Sequence, residues 1–340
     1  MVSLEFDALW PFKLHLRSAR RILNLCEANK GFYVKAGQFV AAMRQVPREY
    51  SSTLSSLQDQ AVPCSFEAVK EVYFQEFGEG FVTDKLLSGY KFLLRAKGFI
   101  YLWMNLRFLS FDEKPVAAAS IAQVHHAVLK DHQEVAVKVQ YPGLEYQMKF
   151  DLATMAILSR SVAWLFPEYR FEWMVSEFTK SIASELDFIQ EAKNSERAAN
   201  NFKKNRTVRI PRVYWDFTSR QVLTMQFCEG HKLAAIDVRS LWHLIPPESG
   251  IEWLFLVKLV NDLEFLHRMG ISPLEVAKAL VDVFAEMIFV HGFLHGDPHP
   301  GNILVSPQGP IGFSLVILDH GIYKQLSEDF RKTYCRLWRL

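Results

Sequence analysis

One loop constrains the fold of this chain more than any other feature of its sequence. His295–Asn302 reads HGDPHPGN and contains two prolines and two glycines. Proline fixes one backbone dihedral and glycine permits turns that other residues resist, so much of the loop conformation is set in advance. A short strand, Asn302–Val305, a turn and an apolar strand, Leu315–Leu318, follow the loop. This order predicts a β-hairpin that begins at the loop and ends at Asp319.

Three polar side chains lie at the ends of this predicted hairpin. Asp297 and Asn302 belong to the loop, and Asp319 follows the second strand, just before a sharp turn permitted by Gly321. The Asn302 amide and the Asp319 carboxylate offer hard oxygen ligands that suit a Mg²⁺ ion carrying a nucleotide. Asp297 then remains available to orient or deprotonate a nucleophile. The alternative is a structural loop in which histidine and aspartate side chains only cap the backbone.

Helical and strand patterns alternate in blocks along the rest of the chain. Half of the 340 residues are hydrophobic and 22% are charged, so the chain can bury a sizeable core, and its length favours about two domains. Helical patterns cover 14–46, 65–77, 151–166 and 171–202, and strand patterns cover 115–129, 134–142, 208–215 and 221–227. The short polar turn between the first two strand patterns predicts that they form a hairpin. The order of the elements predicts an α+β fold in two lobes.

The charge balance and the cysteines exclude some kinds of site. A net charge of +2 argues against a broad basic surface for nucleic acid, so nucleic acid is not expected as a partner. The four cysteines are far apart in sequence and form no CxxC pair, which argues against a zinc site and a disulfide framework.

Membrane and targeting signals are weak in this sequence. Residues 1–25 carry Glu5 and Asp7 before any basic cluster, so no targeting peptide is legible. The best membrane candidate, Phe92–Leu109, contains three basic residues, and its longest uncharged stretch is far shorter than the roughly 20 residues that span a bilayer. The segment either lies on a membrane surface or is a buried or irregular insertion.

A strand lysine upstream fits the same nucleotide chemistry. Lys138 ends the run Val-Ala-Val-Lys, and a strand lysine can bring its ammonium to the α- and β-phosphates of a nucleotide. An acidic residue on a helix should hold this lysine. Glu185, Asp187 and Glu191 are candidates, and we take Glu191 as the partner of the ion pair.

The spacing of these motifs matches the catalytic loop, the metal-binding Asp-x-Gly and the strand lysine of protein kinases, with His320 in place of the usual phenylalanine. One element departs from that scheme. Where kinases carry a glycine-rich loop, this chain has Ala117, Ala118, Ala119 and Ser120. Alanine does not adopt positive φ cheaply, so we expect a stiffer loop over the phosphates.

These motifs together resemble the aarF-domain, or UbiB-like, family of atypical kinases, and most of all its eukaryotic mitochondrial-type members, plants included. The resemblance rests on Lys35-x-Gly-Gln38, the alanine-rich loop, Glu185-x-Asp187, the HGDPHPGN loop and Asp319-His-Gly. It covers residues 14–87, 108–238 and 271–340.

The resemblance implies a role for each matching residue. Lys138 becomes the phosphate lysine and Glu191 its partner, Asp297 the catalytic acid or base, and Asn302 and Asp319 the Mg²⁺ ligands. The remaining residues fall into a phosphate cover, an adenine-binding hinge and a lid that occupies the space of a protein substrate: Ala117–Ser120 for the cover; Gln226, Phe227 and Cys228 for the hinge; and Lys35, Gln38, Glu185 and Asp187 for the lid.

The chain also departs from the family pattern in three places. Residues 88–107 and about 240–268 resemble insertions, and only nineteen residues follow Gly321, whereas the family continues with further helices. We therefore expect a two-lobed kinase-like fold with a truncated large lobe. Its parts are a helical extension carrying the KxGQ motif, an insertion, a small lobe and a partial large lobe, at 1–87, 88–107, 108–230 and 231–340.

In functional terms, the resemblance implies Mg²⁺-dependent phosphoryl transfer or ATP hydrolysis, with ATP and Mg²⁺ as cofactors. It further implies a link to isoprenoid-quinone or lipid homeostasis, a membrane lipid or quinone precursor as a further ligand, peripheral membrane contact and a mitochondrial location, or else a plastid one. The alternative is a catalytically silent scaffold that uses the same fold to bind a membrane lipid or a partner protein.

Overall fold

A computed structural model describes residues 2–29, 31–42, 46–58, 63–77, 104–165, 172–232, 263–297, 300–307 and 312–337. The chain divides into two compact units, Met1–Ile182 and Ala183–Leu340. Most of both predicted insertions, residues 88–103 and 240–262, lies outside the described residues. The four-part division of the chain stays a prediction.

The first unit contains helices at its N-terminus, a small sheet and a further helix. Its elements in chain order are α1 (Val2–Asn29), α2 (Gly31–Ala42), α3 (Arg48–Leu54), α4 (Phe66–Phe77), β1 (Phe108–Phe111), β2 (Ala117–Ala118), β3 (Ala122–Leu129), β4 (Glu134–Gln140) and α5 (Leu144–Leu165). Helix α6 (Glu172–Glu185) crosses the boundary between the units.

The N-terminal helices pack around a small apolar cluster. Cys26 of α1, Val34 of α2 and Leu54 of α3 are buried in it together with Leu57. The helical pattern over 14–46 is divided into two helices, since α1 ends at Asn29 and Gly31 begins α2 with a φ of 43°. These helices therefore form a packed layer within the first unit.

The predicted hairpin in the first unit is confirmed. Strands β3 and β4 pair antiparallel, with Val124 opposite Lys138, and β1 and β2 both pair with β3. The polar turn between β3 and β4 contains His132, which adopts a φ of 65°. Valines alternate with other residues along β4 and are buried, which is the period of two expected for a strand packed on a core.

The second unit surrounds its sheets with helices. Its elements in chain order are α7 (Phe188–Asn201), β5 (Val208–Arg209), β6 (Val222–Gln226), β7 (His231–Lys232), α8 (Leu263–Arg268), α9 (Pro273–Ala285), a π-helical turn (Glu286–His291), β8 (Phe293–His295), β9 (Ile303–Ser306), β10 (Ser314–Ile317), β11 (Tyr323–Gln325) and α10 (Glu328–Leu337). One sheet has the order β5-β10-β9-β7, and β8 pairs with β11 in a second sheet.

Helix α9 and the hairpin strands supply the core of the second unit. Val276, Leu280 and Val283 recur at helical spacing on α9 and are buried. They belong to one cluster with Ile303 of β9 and Leu315 of β10. This packing fixes the hairpin that carries the motif residues.

Two details of the predicted elements were wrong. The helical span 171–202 is two helices, because Asp187 prefers the N-cap position and begins α7. The stretch 208–215 does not form a regular strand pair with 221–227. Instead β5 pairs in parallel with β10, and only an isolated bridge joins Val213 to Met225. Pro211, which has no backbone N–H, accounts for the early end of β5.

None of the described helices combines the length and the hydropathy needed to cross a bilayer.

Candidate functional site

The β9–β10 hairpin brings Asn302 and Asp319 together. Ile303 lies opposite Ile317, and the Leu318 backbone N–H donates to the Asn302 carbonyl at 2.9 Å. Asn302 therefore immediately precedes one strand end, and Asp319 follows the paired strand end. The sequence-based prediction that two neighbouring hairpin ends carry these side chains is confirmed.

A second strand pair holds Asp297 against the same hairpin. Strand β8 pairs with β11 so that His295 lies opposite Tyr323, and the Gly296 N–H donates to the Ile322 carbonyl at 2.8 Å. The Asn302 side-chain nitrogen donates to the backbone and side-chain oxygens of Asp297, each at 3.3 Å. The amide nitrogen is thereby committed to Asp297, which leaves the amide oxygen as the group that Asn302 can offer to a cation.

His295 joins the two acidic loops through both of its ring nitrogens. Its Nε2 donates to the Asp319 carbonyl, and its Nδ1 accepts from the Asp297 N–H at 3.1 Å. A carbonyl can only accept and an N–H can only donate, so these bonds fix the tautomer with its hydrogen on Nε2. The buried imidazole thus couples the positions of Asp297 and Asp319.

The turn after Asp319 is anchored by the two helices that flank the ExD motif. One Asp319 carboxylate oxygen accepts from the Gly321 N–H at 3.0 Å. Ser184 donates to the Gly321 carbonyl, and Asn194 donates to the His320 carbonyl, both at 3.0 Å. The Asp319 side chain and two helix side chains therefore hold the Asp-His-Gly backbone in place.

Two acids of the ExD region lie beside this turn. A Cβ added to Gly321 would lie 3.8 Å from the Glu185 Cγ and 3.8 Å from a Glu191 carboxylate oxygen. Glu191 is 1% exposed, a burial that a carboxylate tolerates only with partners. Asp187 instead caps α7, accepting the Gln190 N–H at 3.1 Å. Its lid role stays a prediction.

Aromatic rings pack beside the strand pair of β8 and β11 and the turn that follows Asp319. The rings of Phe293 and Tyr323 stack at 4.2 Å, and Tyr323 stacks on His320 at 5.8 Å. The Arg197 guanidinium lies 4.0 Å from the centre of the Phe293 ring. Burial and the nearby Asp319 carboxylate raise the pKa of Tyr323, so its phenol stays protonated and donates to His320 Nδ1 at 3.0 Å.

The chemistry of this donor set fits a magnesium ion that also binds phosphate. Asn302 and Asp319 offer one amide and one carboxylate oxygen from adjacent strand ends. Within the described ranges, no group of three or more histidine, cysteine, aspartate or glutamate side chains is arranged to hold a metal. Mg²⁺ prefers about six oxygen ligands, so an ion held by these two groups would take the others from phosphate and water.

In the first unit, Lys138 and the alanine-rich loop both lie on the β3 sheet. Lys138 is 8% exposed and lies opposite Val124. The loop closes tightly, since the Ala119 N–H donates to the Ala122 carbonyl at 2.8 Å. Among the described residues other than glycine, His132 alone has positive φ, so the loop avoids the left-handed region as expected.

Tyr141 anchors the alanine-rich loop from the end of β4. Its hydroxyl donates to the Ala119 carbonyl at 2.9 Å, and its N–H donates to the Ile121 carbonyl at 3.1 Å. Burial raises the pKa of Tyr141 to about 12, so the hydroxyl remains a donor through the physiological range. The loop is therefore tied to the strand that carries Lys138.

The KxGQ motif lies within α2, where two of its residues make packing contacts. The Gln38 side chain donates to the Leu57 carbonyl at 2.9 Å. A Cβ on Gly37 would lie 2.4 Å from Leu57 Cδ1 and 3.0 Å from the Cys26 sulfur, so this position permits a close approach of the helices. Lys35 is half-buried on the same helix. The lid roles of Lys35 and Gln38 stay predictions.

The predicted hinge follows β6 and leads directly toward the hairpin. Gln226 ends the strand, and its N–H donates to the Arg212 carbonyl at 2.8 Å. Phe227 and Cys228 are half-buried, and burial raises the pKa of the Cys228 thiol. The chain then enters β7, which pairs with β9. Contact of the hinge with adenine stays a prediction.

Sequence interpretation missed the residues that hold the site together. No sequence pattern singles out Ser184, Asn194 or Tyr141, and the loop motif gives His295 no role of its own. The first two lie in the block around the ExD motif, so its polar side chains were the available signal. Their partners are more than a hundred residues away, which no local pattern indicates.

Comparisons with known proteins place the chain in one family. The model of the ABC1 atypical kinase-like domain matches residues 103–340. AarF domain-containing protein kinase 1 of Gallus gallus is 36% identical over 338 residues, covering 99% of this chain and 55% of that protein. The protein of the same name from Xenopus tropicalis is 38% identical over 339 residues, covering 98% and 55%. A putative ABC1 protein of Arabidopsis thaliana is 34% identical over 342 residues, covering 96% and 54%.

A solved structure shows the same fold. The structure of the Rv3197–erythromycin complex from Mycobacterium tuberculosis matches with a TM-score of 0.53 and 22% identity, covering 94% of this chain and 68% of that chain. The chain spans about half the length of the curated relatives it matches. The match to the domain model covers more than half of the chain, and it includes the loop, the strand lysine and the Asp-His-Gly turn. The chain has a kinase-like fold and belongs to the ABC1/AarF family of atypical kinases.

Proposed function

We propose that the protein binds ATP with Mg²⁺ and catalyses phosphoryl transfer or ATP hydrolysis. The observation that carries this proposal is the arrangement of Asp297, Asn302 and Asp319, which two strand pairs and the His295 imidazole hold together. An acid, an amide and a second acid in this order are the parts that phosphoryl transfer requires. Relatives named as kinases support the same chemistry.

Each side chain of the second unit has a separate task in this proposal. Asn302 and Asp319 would hold the ion, which when bound neutralises charge on the phosphates. Asp297 would orient the attacking hydroxyl or water and accept its proton. The hydrogen bond from Asn302 to Asp297 fixes both side chains, so that little reorganisation is needed when substrate binds.

The first unit would contribute phosphate contacts. Lys138 would pair with the α- and β-phosphates and with Glu191, as in other kinase-like proteins. The alanine-rich loop would cover the phosphates, and Gln226–Cys228 would meet adenine. Lys35, Gln38, Glu185 and Asp187 would form a lid that excludes peptide substrates, so we expect no phosphorylation of added proteins.

The proposed cellular role is supported by the family resemblance, and none of the contacts described in the site bears on it. We propose a mitochondrial protein, with a plastid location as the alternative, that acts in isoprenoid-quinone or lipid homeostasis. A membrane lipid or quinone precursor would be its further ligand, through peripheral contact with the membrane. ATP turnover assayed in the presence and absence of quinone precursors tests this part separately.

Mg²⁺-dependent thermal protection by ATP tests the nucleotide site. Saturation at 100 times Kd should raise the free energy of unfolding by about 2.7 kcal/mol. Asp319→Asn should abolish this protection, whereas Asp297→Asn should keep it and lose turnover. Asp282→Asn, on an exposed position of α9, is the matched control and should behave like the wild type.

Two outcomes would contradict the proposal in different ways. If Asp319→Asn binds MgATP like the wild type, the assigned metal site is wrong. If the wild type binds MgATP but turns none over with any acceptor or with water, the chain is a nucleotide-binding scaffold, and the catalytic role of Asp297 is wrong.

A further inference from the structure

One side of helix α1 carries a dense group of cations. Lys13, Arg17, Arg20 and Arg21 line a cavity of about 380 Å³ together with Leu16 and Asn24. At 3.6 residues per turn, these positions fall on one side of the helix within about three turns. All four cationic residues are exposed. We call these four residues the α1 basic face.

Packing on the opposite side of α1 fixes the direction of this face. Ala19 and Cys26 are buried, and Leu23 packs against the same apolar cluster that α2 and α3 share. The helix cannot rotate about its axis without exposing those side chains. The α1 basic face is therefore held away from the core of its unit.

No carboxylate among the described residues forms an ion pair with this face. Glu27 is the single acid among the described side chains of α1, and it lies six residues beyond Arg21, about 9 Å along the helix axis. Like charges at a spacing of four residues destabilise a helix. A bound anion would relieve this repulsion.

The composition of the face indicates what kind of anion it fits. Three of its four cations are arginines, whose planar guanidinium groups match the oxygens of phosphate in pairs. Two leucines, Leu14 and Leu25, are about half exposed on the adjoining side of the helix. Cations beside exposed leucines suit a phosphate that is attached to an apolar body.

We propose that the α1 basic face is a binding site for the phosphate groups of an anionic ligand, either an anionic phospholipid headgroup or a free polyphosphate. The α1 basic face shares no residue with the loop that carries Asp297 and Asn302, so the proposal does not depend on the proposed nucleotide chemistry. Its headgroup reading rests on the membrane contact proposed above, whereas its polyphosphate reading does not.

Two probes distinguish the sources of phosphate. Vesicles of phosphatidylcholine with phosphatidylglycerol, compared with phosphatidylcholine alone, report binding to a headgroup by co-sedimentation. Inorganic pyrophosphate, titrated calorimetrically with a chelator to remove Mg²⁺, reports binding of a free polyphosphate. The variant is Arg17→Gln with Arg20→Gln, and the matched control is Lys114→Gln with Lys130→Gln, which removes the same charge from exposed positions of the same unit.

The double arginine variant should bind the anionic vesicles about 30-fold more weakly than the wild type. Each basic side chain that is lost near an anionic surface should weaken binding about 5.5-fold, and the variant loses two. Loss confined to vesicles identifies a headgroup, and loss confined to pyrophosphate identifies a free polyphosphate. Either result supports the proposal, and so does loss with both probes. Equal binding by wild type and arginine variant, or an equal loss in the lysine control, would overturn it.

Salt dependence of the wild type provides a test that needs no variant. Binding through exposed cations should weaken steeply as NaCl is raised, because exposed charges are screened within about 10 Å at 0.1 M. Wild-type protein that binds neither probe at low ionic strength, or that binds with no salt dependence, would show that the α1 basic face is not a phosphate site.

Discussion

The His295 imidazole donates to the backbone carbonyl of Asp319, and through its other nitrogen it accepts from the N–H of Asp297. One buried ring therefore sets the spacing between the predicted catalytic acid and a predicted metal ligand. The relationship links two segments that lie on different strand pairs. Any change in the ring should act on both segments at once.

Replacing His295 should uncouple the two acidic loops. In His295→Ala the Asp319 carbonyl and the Asp297 N–H lose their partner, which should cost about 1–3 kcal/mol of unfolding free energy. The thermal protection that MgATP gives should also be smaller in this variant than in the wild type. Chemical denaturation and a thermal melt with MgATP measure the two effects.

A conservative variant and a control distinguish an effect on the position of the two acidic loops from an effect on folding. His295→Gln retains a donor and an acceptor and should recover part of the protection. His267→Ala, on an exposed position of α8, should change neither quantity. Full ATP protection in a folded His295→Ala protein would show that the ring does not position the site.

Asp187 should contribute to stability through its cap and to the lid through its charge. Its carboxylate accepts the Gln190 N–H at the start of α7. Asp187→Ala should therefore lower the free energy of unfolding by about 1 kcal/mol, whereas Asp187→Ser, which keeps a capping oxygen, should lower it by less. Urea denaturation of the two variants provides the comparison.

The same pair of variants tests the predicted lid. If the lid needs the Asp187 charge, both variants should change nucleotide preference or gain self-phosphorylation, which mass spectrometry detects. A change in Asp187→Ala alone would assign the effect to the lost cap instead.

Removing the Tyr141 hydroxyl should loosen the alanine-rich loop in a pH-dependent way. Tyr141→Phe loses the bond to the Ala119 carbonyl and should cost about 0.5–1.5 kcal/mol near neutral pH. Burial raises the pKa of Tyr141 from 10.0 to about 12, so the folded state holds this proton more tightly than the unfolded state. The wild-type advantage should therefore be complete below pH 10 and decline between pH 10 and about 12.

The measurement is the difference in unfolding free energy between Tyr141→Phe and the wild type, since other titrating groups cancel in it. A difference that stays constant or grows over that alkaline range would contradict the assigned direction of the shift. A difference of zero at neutral pH would show that the hydroxyl does not hold the loop.

Adding a methyl group at Gly37 should force the N-terminal helices apart. Alanine is favoured over glycine inside a helix, but here the new Cβ would lie 2.4 Å from Leu57 Cδ1. The overlap should outweigh the propensity gain, and Gly37→Ala should lower the free energy of unfolding by about 1–3 kcal/mol. The double variant with Leu57→Ala removes the opposing atoms and should cost less than the sum of the two single changes. Additive costs would show that the two positions do not interact.

Local chemistry accounts for the parts of the fold that sequence analysis predicted. The β3–β4 hairpin followed from two β-rich runs around a polar turn, and the β9–β10 hairpin from apolar strands joined by proline and glycine. In both hairpins the position of the motif residue relative to its strand can be read from the sequence. Lys138 and Asp319 could therefore be located without knowledge of the tertiary fold.

Partners far apart in sequence account for what only the tertiary structure decided. Strand β5 pairs in parallel with β10, far along the chain, whereas an isolated bridge joins Val213, after Pro211, to β6. Ser184 and Asn194 hold the Asp-His-Gly turn across 137 and 126 residues. A serine or asparagine can donate to any nearby carbonyl, so its residue type fixes the kind of bond, and only the packing of the helices against the hairpin decides which carbonyl is within reach.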